Sequence, residues 1–228
     1  MRSQRNSWTD IDESSPTVGF LPVGSTEQHG PHAPVGTDTI IAQAIAEETT
    51  QMLDRDCLCL PTIPVGVAPY HGTFPGTLSV RPETLRRYVV DIIQSLADTS
   101  VETVVLVNGH GGNGPTLANV ARERTQTTEL DVYGWEWMRA VDEDVGHAGE
   151  LETAILLHLC PGDVGDPVVG DAMSWDSVID GGTIHHYTDG FSENGVVGDA
   201  TGATAAQGQE AFERATAMLV SFVGRVTE

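Results

Sequence analysis

VETVVLVNGHGGNGP, residues 101–115, runs from an apolar segment straight into a glycine-rich turn that carries a histidine. Residues 102–107 are brief, β-branched and apolar enough for a central strand, and the turn residues after them end it. Outward from this point, residues 17–22 (TVGFLP), 57–61 (CLCLP) and 130–135 (LDVYGW) have the same form. Between them lie helical patterns. The clearest is 82–98, where Leu85, Tyr88, Val89, Ile92, Ile93 and Leu96 recur at three and four. Arg86, Arg87, Asp91 and Gln94 fill the other face, and Pro82 suits a first turn. Residues 38–53 and 115–126 also read as helices, and 203–226 as a closing one. Strands alternating with helices predict an α/β fold, a single-domain three-layer sandwich with a mainly parallel sheet over 17–228, preceded by a mobile lead-in at 1–16. In such sheets, sites form beyond the carboxyl ends of the strands. The unusual polar stretches follow those ends, at 23–38, 62–79, 108–114 and 136–150. Residues 160–202 show no periodicity and read as a flap or a subunit contact.

Composition narrows the roles. Against 33 Asp and Glu stand 11 basic residues, all arginine, for a net charge of −22. Such a surface repels nucleic acid and anionic membrane, so neither is expected as a partner. The acidity and the absence of lysine resemble proteins of salt-loving cells, in which molar salt screens the self-repulsion. Cys57, Cys59 and Cys160 are odd in number and sit in apolar contexts, as reduced core thiols of a cytoplasmic protein do. No run of about 18 apolar residues occurs, and the opening MRSQRNSWTDIDESS lacks the apolar core of a signal peptide. A soluble, cytoplasmic protein is expected.

The stretch STEQHGPHAPVGTD, 25–38, sets Glu27 and His29 two apart on an extended segment, with Asp38 arriving after a Pro/Gly-rich bend. A carboxylate, an imidazole and a second carboxylate able to bridge suit a divalent cation such as zinc, manganese or iron. By itself this spacing is equally that of a polar loop. His110 on its glycine turn supplies a further ligand, and the N–H groups of Gly111 and Gly112 can face an oxyanion. A phosphate-cradling loop there would need a lysine, and an esterase oxyanion loop would need a G-x-S-x-G elbow; the sequence has neither. In GHAGELETAILLHL, 146–159, His147 precedes a helix apolar around most of its circumference. Glu150 and Glu152 therefore fall in or near the interior, where a carboxylate needs a partner.

Together, GSTEQHGPHAPVGTD, FPGTLS, NGHGGN and HAGELET resemble the ordered motifs of the creatininase family of metal-dependent amidohydrolases. The resemblance spans residues 24–153 and fades after 160. It implies an α/β sandwich, a homo-oligomer that is usually a hexamer, and one or two divalent ions. Glu27 and His110 would hold one ion and His29 the other, with Asp38 between. Creatininases proper carry a ligand glutamate where this chain has Gly112; Glu152 is the first candidate to replace it and Glu150 the second. A tryptophan that covers creatinine in those enzymes is replaced by Glu143, which disfavours creatinine. The branch most similar is the one that trims the mycofactocin precursor peptide. Creatinine hydrolysis and formamide deformylation are the alternatives within the family, and a non-catalytic metal- or ligand-binding module is the alternative outside it. The implied reaction is attack of metal-bound hydroxide on an amide or peptide C–N bond. His147 would shuttle the proton, His32 would support a ligand, and His71, Phe74 and Thr77 would line the substrate side.

Overall fold

The computed structural model describes residues 1–127, 129–141, 145–172 and 175–227. After helix α1 (Trp8–Ser14) come strand β1 (Val18–Val23), α2 (Thr37–Met52), β2 (Cys57–Cys59), α3 (Pro82–Gln94), β3 (Thr103–Asn108), α4 (Gly114–Thr127) and β4 (Asp131–Glu136). Then follow α5 (Trp137–Ala140), α6 (Glu150–Leu159), β5 (Asp176–Ile179), β6 (Gly182–His185) and α7 (Ala205–Val226). The main sheet has the order β2-β1-β3-β4 with every pairing parallel, and β5 and β6 form a separate antiparallel hairpin.

The period of two along the strands sorts side chains to the two faces. Val18 and Phe20 of β1 join Val105 and Val107 of β3 in a core with Ile41, Ile155 and Leu219, which is the face covered by α2, α6 and α7. Leu21, Val23, Val104 and Leu106 turn the other way, onto Leu85, Val89 and Leu117 of α3 and α4. Both faces of β1 and β3 are thus buried, which explains their unbroken apolar runs. The three-layer α/β sandwich is the expected one. Cys57 and Cys59 sit in the first of these cores, and burial pushes their thiols up to about 11 and about 12.

At the start of the chain, Met1 and Arg2 meet the outer edge of β2: Cys59 N–H donates to the Met1 carbonyl at 2.8 Å, and Arg2 bridges Cys59. Ser7 caps α1 reciprocally with Asp10. The third helix stops at Gln94, short of the expected 98, because Ser95 N–H reaches Asp91 and Ile92 carbonyls in a tightening last turn that still buries Leu96. No helix among the described residues is long and apolar enough to cross a membrane. Since all strands of the main sheet run the same way, the loops after β1, β2, β3 and β4 meet at one edge. That edge holds the candidate site.

Candidate active site

The loop after β1 is shaped by its own backbone. Glu27 N–H donates to the Val35 carbonyl at 2.9 Å and His29 bridges Ala33, so residues 27–29 are extended and paired with the returning chain. The return is made at Gly30, whose φ of 66° lies in the left-handed region that glycine adopts without strain. The chain then enters α2, placing Asp38 in its first turn. Glu27, His29 and Asp38 are all buried.

His110, from the turn after β3, completes one group: its Nδ1 lies 3.1 Å from Glu27 Oε1 and 3.4 Å from Asp38 Oδ2. Its Nε2–H donates to the Val67 carbonyl at 3.0 Å, which leaves Nδ1 as the atom that faces the carboxylates. His29 mirrors this arrangement. Its Nδ1–H donates to the Glu27 carbonyl at 3.1 Å, and its Nε2 lies 3.2 Å from Asp38 Oδ1 and 3.8 Å from Glu152 Oε2. Asp38 thus turns one oxygen to each histidine. Backbone acceptors that fix the far nitrogen of each ring are what metal-ligating histidines use.

Glu152 enters from the first turn of α6, and its Oε2 accepts from Ala148 N–H at 2.6 Å. Ala148 holds a φ of 52°, a conformation that costs a non-glycine residue about 1–2 kcal/mol and here aims its N–H at that carboxylate. Glu150, the second candidate ligand, is exposed and accepts from Gln207 at 2.8 Å, well outside the cluster. Two positions along a helix differ by about 200° in direction, so Glu150 and Glu152 cannot share a face. His32 is buried behind the start of α6 with its Nε2 2.9 Å from Thr153 Oγ1.

Glu27 Oε1 and Oε2, His29 Nε2 and Asp38 Oδ2 are buried with no hydrogen-bond partner. Leaving such atoms uncompensated is costly, and divalent ions held among them would supply the missing partners. Glu27, Asp38 and His110 form one group of ligand atoms close enough to hold an ion, His29, His147 and Glu152 a second, and Glu27, His71 and His147 a third. The residues present therefore fit one or two divalent ions.

The electrostatics separate the imidazoles into pairs. Burial disfavours charge on His29 and His110, yet the adjacent carboxylates overcome it: Asp38 and Glu152 raise His29 well above the usual range, and Glu27 and Asp38 push His110 up to about 9. Burial lowers His71 to about 4 and His147 well below the ordinary imidazole range, with neighbouring histidines adding to it. Burial and the Glu27 charge push Asp38 up to about 6. Burial would raise Glu27 as well, but His110, His71 and His147 hold it below the usual carboxylate range. Positive charge is favoured where Glu27, Asp38, His29 and His110 meet.

A pocket of about 310 Å³ opens onto this cluster, lined in part by His71, Gly111, Gly112 and His147. Its rim holds Tyr70, Trp175 and His185, so the β5–β6 hairpin and its approach, from the segment without periodicity, border the mouth. Phe74 and Thr77 are not among the lining residues; Phe74 N–H donates to the His71 carbonyl, and Thr77 Oγ1 accepts from Gln28 N–H at 3.0 Å. They hold the segments that carry His71 and Gln28. Glu143 lies outside the described residues. Sequence reasoning passed over Gln28, whose buried amide contacts both His71 and His147, although its place between two candidate ligands was a signal.

Residues 4–223 match the family described as creatininase, creatinine amidohydrolase. The mycofactocin precursor peptide peptidase of Mycolicibacterium smegmatis is 38% identical over 204 residues, covering 85% of this chain and 78% of that one. Among solved structures, a creatinine amidohydrolase (creatininase) superposes with a TM-score of 0.82 at 22% identity, covering 98% of this chain and 96% of that one. Another, described as creatininase Mn, gives 0.79 at 21% identity, covering 97% and 96%.

Proposed function

The chain belongs to the creatininase family of amidohydrolases, and on that premise we propose that it hydrolyses the C–N bond of a peptide end, as in trimming a precursor of the mycofactocin type. One or two divalent ions, zinc, manganese or iron, would be held among Glu27, His29, Asp38, His110 and Glu152. The observation that carries this reading is the convergence of buried, unpartnered ligand atoms from Glu27, His29 and Asp38. A divalent ion in such a site supplies Lewis acidity and lowers the pKa of a water from about 15.7 to about 7.

The chain's own residues do the rest. His147, neutral near pH 7, turns Nδ1 toward Glu27 Oε1 at 3.7 Å and is placed to accept a proton and return it to the leaving nitrogen. Gly111 and Gly112 border the same space with backbone N–H groups for a developing oxyanion. His32 steadies the start of α6 and so Glu152. The aromatic rim of Tyr70, Trp175 and His185 suits an aromatic side chain near the end of a peptide. A homo-oligomer, hexameric as the family resemblance implies, in a salt-rich cytoplasm completes the reading; the net charge of −22 supports only the salt.

The test is metal analysis of the purified protein in molar salt, followed by hydrolysis assays with a peptide ending in Val-Tyr, with creatinine and with formamides. Release of a peptide fragment with bound metal is expected. Turnover of creatinine or formamide alone would overturn the substrate, and bound metal with no turnover of any would overturn the enzyme.

A further inference from the structure

Gln28 lies between Glu27 and His29, but its side chain meets the other pair of histidines. Its orientation is set by two backbone groups: Gly30 N–H donates to Oε1 at 2.9 Å, and Nε2 donates to the Gly195 carbonyl at 2.9 Å. Exchanging oxygen and nitrogen would set donor against donor at Gly30 and acceptor against acceptor at Gly195. His147 Nε2 lies 2.7 Å from the Gln28 main-chain carbonyl, which only accepts, so that nitrogen carries the ring proton. One amide N–H of Gln28 is engaged by Gly195, and the 2.8 Å approach of the amide to His147 Nε2 meets a nitrogen that already bears a proton. The second amide N–H therefore goes to His71 Nδ1 at 3.0 Å. Thr188 Oγ1 lies 3.1 Å from the same His71 Nδ1 and 3.0 Å from the Tyr70 carbonyl; its single proton agrees with this assignment when it points to Nδ1, while the oxygen accepts from Trp175 Nε1 at 3.2 Å. A ring that accepts at Nδ1 carries its proton at Nε2. In His71 that atom faces Glu27 Oε1 at 3.6 Å, too far to be spent in a hydrogen bond.

We propose that Gln28 is a positioning residue that imposes opposite presentations on the stacked rings of His71 and His147, 4.2 Å apart. His147 offers a bare nitrogen to the pocket and His71 offers an N–H. His71 is accordingly a hydrogen-bond donor to the substrate oxygen, and the Glu27, His71, His147 group is not a metal site, although its atoms lie close enough to form one. The donor role rests on the hydrolytic reading above; the tautomers do not.

The experiment uses the whole chain labelled with ¹⁵N-histidine, loaded with Zn(II) in molar salt and examined by magic-angle-spinning NMR, with His71→Asn identifying the His71 signals. The expected spectrum shows His71 protonated at Nε2, with neither nitrogen shifted by zinc. Gln28→Glu places an acceptor against His71 Nδ1. It should move the proton to that nitrogen and lower kcat about 100-fold, with zinc content and KM little changed. Protonated Nδ1 in the parent, a zinc-shifted His71 Nε2, or a Gln28→Glu variant with parental tautomer and kcat would overturn the proposal. If the variant does not fold, the parent spectrum decides alone. Expected tautomers without hydrolysis would support the positioning by Gln28 and sink the hydrolytic reading, whereas hydrolysis with His71 protonated at Nδ1 would do the reverse.

Discussion

Placing a side chain at position 112 tests how His110 is held. A Cβ on Gly112 would come inside 3.0 Å of both the Val67 carbonyl oxygen and His110 Nε2, a separation real Cβ atoms essentially never adopt. These atoms are the two ends of the 3.0 Å hydrogen bond that turns His110 Nδ1 toward Glu27 and Asp38. Neither is the tip of a flexible chain, so the loop must move and the bond must lengthen. Overpacking of this kind costs about 1–3 kcal/mol. Losing the partner that orients a ligand histidine weakens metal binding about 10–100-fold, or about 1.4–2.8 kcal/mol. In Gly112→Ala we expect both losses: weaker zinc binding in competition with a chromogenic chelator, and a melting temperature lower by about 2–4 °C for each kcal/mol. Gly112→Glu restores the carboxylate of creatininases proper, yet it should bind zinc no better than Gly112→Ala, because the overlap begins at Cβ. Parental zinc affinity and melting in Gly112→Ala, or an additional zinc per chain in Gly112→Glu, would refute the reasoning.

Other outcomes follow from the same geometry. Asp38→Ala, which removes the residue that turns one oxygen to each of His29 and His110, should lose most bound metal and essentially all hydrolysis, whereas His147→Ala should keep metal and lose turnover; full metal content in Asp38→Ala, by elemental analysis, would break the site assignment. Zinc affinity should rise with pH through neutrality, because the ion must displace a proton from His110, held up to about 9, and from the raised His29; titration of Kd between pH 6 and 9 should show this slope, and a flat profile would exclude proton competition. Gly208→Ala should lower stability by about 1–3 kcal/mol in denaturant unfolding, since its Cβ would overlap the Ala154 carbonyl where α7 crosses α6. Transfer from molar to low salt should unfold or dissociate the protein, as the charge of −22 loses its screening; an unchanged circular dichroism spectrum would remove the case for salt adaptation.

Much of the fold was legible in the chain because its signals are local. Residues 17–22, 57–61, 102–107 and 130–135 were expected as strands and lie within a residue or two of β1 to β4, as short apolar runs closed by turn residues must. Their parallel sense followed from the intervening helices. The strand order was not legible, nor was the pairing of the first residues with β2, since both depend on contacts between distant segments.

The sequence by itself determined which ligand types stand close along the chain: Glu27, His29 and Asp38 within one short stretch and His110 on a glycine turn, a spacing that survives without coordinates. Only the tertiary structure decided what each side chain faces. It turned Glu152 inward and Glu150 outward, because helix phase becomes a direction only when the helix is packed. It left Phe74 and Thr77 out of the pocket lining and brought Trp175 and His185 into it. It joined Gln28 to His71, His147 and Gly195, partners up to 167 positions away. A hydrogen-bond role is fixed by the atom opposite, and which atom stands opposite is a property of the packed chain.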